Sequence, residues 1–334
     1  MFLKLGLFAL ISLTIYLGIA TGLILSDHPK PTADSANEPI VFDALIAADY
    51  ATIPALQPYT ARDGATLYYR TYESKTDTDR VLILLHGSGW HSMQFHQLAV
   101  FVSDNGSAHV VTPDLRGHGF QPGRRGDVDY IGQLEDDLSD LIDILEKQYP
   151  NAKIILGGHS SGGGLVIRFA GSRYGSKIDA YVLLAPFIKY NAPTTRPNSG
   201  GWADPLPRRI AGLTMLNSIG VHWFDALPVI QFNMPQAVLD GPLGKSATTS
   251  YSHRLNVSFA PRNNYGRDLT AMKQPFLLVA GLDDEAFIAD LYEPTITKYT
   301  DAGQYVLLPN TGHIDLLVSL QLETVLADWF ITLK

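Results

Sequence analysis

The run Lys153-Ile154-Ile155-Leu156 leads into Gly158-His159-Ser160-Ser161-Gly162, and residues 163–170 beyond it are mostly apolar. A buried strand that enters G-x-S-x-G and leaves as a helix is a nucleophile elbow, with the serine on a sharp turn and its hydroxyl exposed above a sheet. The flanking glycines are needed because a side chain there would collide with backbone where the chain turns so tightly. This constrains the fold more than any other stretch, because it requires a parallel sheet with helices against it.

An elbow serine needs partners that follow in the order acid, then histidine. Residues 275–280 read as a buried strand ending in Gly281-Leu282-Asp283-Asp284-Glu285, and residues 305–308 as a last strand ending in Pro309-Asn310-Thr311-Gly312-His313. A serine hydroxyl is a weak nucleophile without a neighbouring base. His313 is the candidate base, and a carboxylate beside it would fix the imidazole tautomer and stabilise the imidazolium. From the residues alone, Asp283, Asp284 and Glu285 are all open as that carboxylate. An oxyanion hole needs two backbone N–H donors. Ser161, just after the nucleophile, supplies one; Ser88, in the His86-Gly87-Ser88-Gly89-Trp90 loop after the strand at 81–85, supplies the other.

Four motifs together resemble the α/β-hydrolase superfamily, and within it the monoacylglycerol lipase and lysophospholipase-like (serine aminopeptidase S33-like) branch. His86-Gly87-Ser88-Gly89-Trp90-His91-Ser92 is similar to its H-G-x-G-x-H-S. Asp114-Leu115-Arg116-Gly117-His118-Gly119 is similar to D-x-R-G-H-G, Gly158-His159-Ser160-Ser161-Gly162-Gly163 to G-H-S-x-G-G, and Gly281-Leu282-Asp283-Asp284 to G-x-x-D. The resemblance implies Asp284 as the acid, with Asp114 and His118 holding a loop together. It also implies a carboxylic ester hydrolase acting on apolar acyl esters of the monoacylglycerol or lysophospholipid type. Peptidase, thioesterase and acyltransferase chemistry share such a site and stay open, as does a non-catalytic membrane-tethered binding module, against which the complete set Ser160, Asp284, His313 counts. Trp90, Gln121 and Ser161 depart from the branch's usual acidic residue, serine and methionine, and a bulky Trp90 implies a reshaped acyl entrance.

The rest of the chain alternates strands (66–72, 81–85, 108–112, 180–184) with helices (133–147, 291–299, 320–331), the α/β pattern of a mostly parallel sheet flanked by helices. Residues 191–270 break the alternation and read as an inserted cap. Its aromatic and methionine residues, from Trp202 to Met234, would form its own core and part of an apolar pocket. The hydrolase core then comprises residues 61–190 and 271–334.

Residues 5–25 carry no charge, and about 20 such residues suffice to span a bilayer. Residues 1–26 are expected to be an uncleaved transmembrane helix with the catalytic domain outside the cytoplasm. A leader cleaved near Ala20-Thr21-Gly22, giving a secreted or periplasmic protein, is the alternative. Residues 27–60 would link it to the core, 30–38 acting as a tether, and removing everything up to Ser26 would release a soluble, active domain. The net charge of −8 and the lack of a basic stripe argue against nucleic acid. There are no cysteines, and His86, His91 and His96 are not spaced for one helix face, so neither a metal nor another cofactor is expected.

Overall fold

A computed structural model describes residues 2–29 and 40–333; the tether expected at 30–38 lies outside the described residues. Eight strands form the main sheet: β1 (Gln57–Thr60), β2 (Thr66–Tyr72), β3 (Arg80–Leu85), β4 (His109–Asp114), β5 (Lys153–His159), β6 (Ala180–Leu184), β10 (Phe276–Gly281) and β11 (Gly303–Leu308). Their order is β1-β2-β4-β3-β5-β6-β10-β11. The pairs β1/β2 and β2/β4 are antiparallel, and every pair from β4 to β11 is parallel. β6 and β10 are buried along their whole lengths because helices cover both faces of the parallel part. That covering makes continuous apolar runs such as Val81-Leu82-Ile83-Leu84-Leu85 favourable here.

The helix expected at 291–299 is shorter, Tyr292–Ile296, entered by a tight turn at Ala289–Leu291. The stretch Thr295-Ile296-Thr297 is β-branched throughout and extends a helix poorly.

Between β6 and β10 the chain leaves the sheet and builds an insert. Three short antiparallel strands, β7 (Ala203–Pro205), β8 (Pro228–Phe232) and β9 (Ser250–Ser252), pair in the order β7-β8-β9, with the helix Pro207–Ser218 beside them.

Among the described residues, one helix, α1 (Phe2–Leu25), has the length and apolar composition of a membrane span and, near the N-terminus, equally of a signal sequence. At 1.5 Å per residue it is about 36 Å long. Its last turns pack on the insert, antiparallel to Pro207–Ser218. Tyr16 Oη donates to the Met215 carbonyl at 2.9 Å, Arg208 N–H to Asp27 at 3.0 Å, and Ala20 and Ile24 bury against Leu213, Leu216 and Val229. A Cβ at Gly212 would stand 2.6 Å from the Ala20 carbonyl oxygen, so glycine permits the approach. This changes one expectation. Removing α1 would strip the cover from an apolar face, and a domain cut at Ser26 loses packing even though no motif precedes Val81.

Candidate active site

The polypeptide reverses at Ser160, between β5 and the helix Ser161–Ala170, with φ 54° and ψ −121°. A non-glycine residue in that region is strained and persists only where its surroundings impose it. Here Ser160 N–H donates to the Leu184 carbonyl at 3.0 Å, and its own carbonyl accepts from Gly164 N–H at 3.0 Å and Phe187 N–H at 2.8 Å. A Cβ at Gly158 would meet the Gly162 carbonyl carbon at 2.5 Å, and one at Gly162 would run into the Leu85 carbonyl, so both flanking glycines are sterically required.

The ends of β10 and β11 bring the other two expected residues together. Asp284 Oδ2 lies 2.8 Å from His313 Nδ1, and Asp284 Oδ1 accepts from Ala286 N–H at 2.8 Å and Phe287 N–H at 2.7 Å. Two backbone donors on one oxygen orient the carboxylate and leave the other for the imidazole. An ionised carboxylate only accepts, so Nδ1 carries the hydrogen in this contact; in a neutral imidazole that leaves the lone pair on Nε2. Asp283 is exposed, while Glu285 accepts the His313 backbone N–H at 2.7 Å. The three adjacent acids therefore divide: one meets the ring, one positions the backbone, one faces solvent.

Around the β3 loop, neighbouring amides are already engaged. Gly87 N–H donates to Gln94 Oε1 at 3.1 Å and Gly89 N–H to Tyr251 Oη at 2.7 Å. The Ser88 and Ser161 N–H groups have no acceptor among the described residues. The Ser88 hydroxyl accepts from Trp202 Nε1 at 2.9 Å, tying the insert to this loop. Asp114 accepts from Ser92 N–H at 2.9 Å, and Tyr251 Oη lies 2.7 Å from His118 Nε2, so both residues of the D-x-R-G-H-G stretch brace the loop. His118 Nδ1 donates to the Arg116 carbonyl at 3.1 Å; its Nε2 therefore accepts, and Tyr251 donates.

Sequence reasoning missed a polar chain behind the serine. His159 Nε2 donates to the His313 carbonyl at 3.1 Å, so its Nδ1 must accept, and Gln94 Nε2 donates to it at 2.8 Å. Gln94 Oε1 then takes Gly87 N–H, and every orientation in the chain is fixed. It joins the β3 loop, the elbow and the His313 backbone. The sequence signal was a lone glutamine in an otherwise apolar turn, Met93-Gln94-Phe95. Burial, with His313 adjacent, pushes His159 well below the ordinary imidazole range, which keeps it neutral.

Ser160 and His313 line one small pocket with Gly87, Ser88, Trp90, Gln94, His159, Trp202, Ile314 and two residues from outside the motif region, Ile40 and Phe42. Its free volume is about 20 Å³, little more than a water molecule needs. Ser160 is 8 % exposed as a residue, and the insert and the residues around Phe42 narrow the approach to its hydroxyl. The Ser160 hydroxyl makes no hydrogen bond among the described residues; bonds of this kind often tighten only when substrate binds. Of the insert's large side chains, Trp202 lines the pocket and Leu213, Leu216, Phe232 and Met234 are buried, whereas Trp223 and Phe224 face outward.

The family model described as "Serine aminopeptidase, S33" matches residues 76–231. The chain is 31% identical over 125 residues to the monoacylglycerol lipase of Mycolicibacterium smegmatis, covering 37% of this chain and 44% of that one. It is 31% identical over 156 residues to human monoglyceride lipase, covering 46% and 49%. The chain thus spans about half the length, or less, of these relatives. The fold is similar to that of a soluble variant of monoglyceride lipase from Saccharomyces cerevisiae, with TM-score 0.64 and 19% identity over 85% of this chain and 96% of that one. A carboxyl esterase from Bacillus coagulans gives TM-score 0.64 and 16% identity over 84% and 98%. The chain has the α/β-hydrolase fold, and over part of its length it is similar to monoacylglycerol lipases and to the S33 family model.

Proposed function

We propose that the protein hydrolyses carboxylic esters carrying an apolar acyl group, of the monoacylglycerol or lysophospholipid type, with Ser160 as nucleophile, His313 as base and Asp284 as its orienting acid. The observation that carries this is the 2.8 Å Asp284–His313 contact, whose imidazole shares a pocket with Ser160. In this reading Ser160 Oγ attacks the ester carbonyl carbon while His313 Nε2 takes the hydroxyl proton. The carbonyl oxygen becomes an oxyanion held by the Ser88 and Ser161 N–H groups, the two donors left without acceptors. Collapse breaks the acyl–oxygen bond, and the alcohol leaves with the proton from His313. Water then attacks the acyl-serine by the same route and frees the acid.

Support for esters over aminopeptidase substrates comes from the pocket lining, which contains no carboxylate among the described residues to bind a free amine. None of the insert's acids, Asp204, Asp225, Asp240 and Asp268, lies there. A fluorophosphonate should label Ser160, and acyl esters should be cleaved faster than amino-acid arylamides. Within the site's length kcat/KM should rise with the acyl chain, up to roughly fourfold per methylene at the ~0.8 kcal/mol that burying one gains. Efficient arylamide cleavage with no chain-length trend would favour the peptidase reading on the same residues.

We also read α1 as a retained anchor with the catalytic domain outside the cytoplasm. Support comes from Ala20, at the one candidate cleavage site, being fully buried against the insert. The protein should stay with membranes through alkaline carbonate; a mature chain beginning near Leu23 would overturn this.

A further inference from the structure

We propose that the slot for the acyl chain is the space now filled by Ile40 and Phe42, so that residues 40–42 are an internal occupant of the substrate site. The inference rests on the ester-hydrolase reading above. Ile40 and Phe42 are 2 % and 4 % exposed although they lie outside the sheet and the insert. Phe42 packs on Trp90 at 5.3 Å and Trp202 at 5.5 Å between ring centroids, and all three line the pocket with Ser160 and His313. With about 20 Å³ free, the pocket as it stands leaves little room for an acyl chain beside the serine. A straight hydrocarbon chain would cover the same two indole faces.

The segment fills the slot without completing it. The Trp90 indole N–H is buried and has no hydrogen-bond partner among the described residues. A buried donor left unpaired is unfavourable, and an ester or hydroxyl oxygen of a substrate supplies what a phenyl ring cannot. The segment is fixed downstream, where Leu45 is buried and its carbonyl accepts from Tyr50 Oη at 2.8 Å. Exchange between occupant and substrate thus requires Phe42 to leave with, or break from, the Leu45 and Ile46 N–H groups that donate to its carbonyl at 3.0 Å. If the open form is a minor fraction, apparent affinity for long acyl chains falls by that fraction.

Two alkyl fluorophosphonates, ethyl and hexadecyl, separate the possibilities in the full-length protein. Each is allowed to label Ser160, with mass spectrometry reporting the adduct, and amide hydrogen exchange is then followed over residues 40–46. We expect the hexadecyl adduct to speed exchange there at least tenfold relative to the ethyl adduct, with little change along β5 and β10. Labelling by both reagents without that difference overturns the proposal and leaves the ester-hydrolase reading standing. No labelling by either overturns both. As an independent arm, Phe42→Ala should raise the ratio of kcat/KM for an octanoyl ester over an acetyl ester about tenfold. An equal effect on both esters, in a variant whose circular dichroism matches the parent, would also count against the slot.

Discussion

The two walls of the pocket are built differently. Gly87, Ser88, Gln94, His159, Ser160 and His313 come from the ends of parallel strands or the turns just beyond them, and hydrogen bonds with fixed donors and acceptors hold them. Ile40, Phe42 and Trp202 come from segments outside the sheet, held mainly by packing of apolar rings. One wall is polar and braced by hydrogen bonds, where the proposed chemistry would take place; the other is apolar, where the proposed acyl chain would fit. On the proposed reading, the first wall would set the rate and the second the selectivity.

The sharpest way to break that division is Ser160→Ala. Turnover of an acyl ester should fall about 10⁵- to 10⁶-fold, as removal of a nucleophile does in comparable sites. The melting curve should hold, since the hydroxyl makes no hydrogen bond to lose; activity near the parent level would move the nucleophile to Ser161. Next in size, Asp284→Asn should cost about 10⁴-fold in kcat with KM little changed, through loss of the correct tautomer. Asp283→Asn should stay within about twofold because that side chain faces solvent. Steady-state kinetics on the pair decides which acid serves His313.

Gln94 tests whether the polar chain positions the first wall. Gln94→Glu keeps an acceptor for Gly87 N–H but loses the donor to His159 Nδ1. We expect kcat to fall roughly 10- to 100-fold with KM unchanged, on the scale of misplaced catalytic groups. A matching rise in KM would mean that the residue shapes the substrate wall instead.

The smallest effect is on stability, and it comes from the imidazoles behind the first wall. Burial pushes His86 down to about 4 and His91 to about 3, from an ordinary 6.5. Between those values and 6.5 the unfolded chain binds protons that the folded one refuses. Stability is therefore complete above about pH 6.5 and declines as pH falls, by up to about 1.4 kcal/mol per pH unit for each group. Thermal unfolding at pH 7 and pH 5 should show a lower midpoint at pH 5; equal midpoints would mean that these rings take up protons in place.

Much of the first wall was legible from residue order alone. Ser160, His313 and the loop containing Ser88 follow strands whose apolar runs announce them, and neighbouring parallel strands bring their ends together. The choice among Asp283, Asp284 and Glu285 came only from family resemblance, and geometry places the three carboxylates in different surroundings. Gln94 went unread because its role depends on a histidine 65 positions away. The strands β7 to β9 were missed because β7 and β9 are three residues long, below what periodicity can register.

The sequence by itself determined the α/β architecture, the elbow and the order of the residues around it, because local steric demands and strand periodicity are written in neighbouring residues. Only the tertiary structure decided that the approach to Ser160 is narrow, that Phe42 stands between Trp90 and Trp202, and that α1 lies against the insert. Those contacts join segments far apart in the chain through apolar packing, which is non-directional and leaves no spacing rule for a sequence to display.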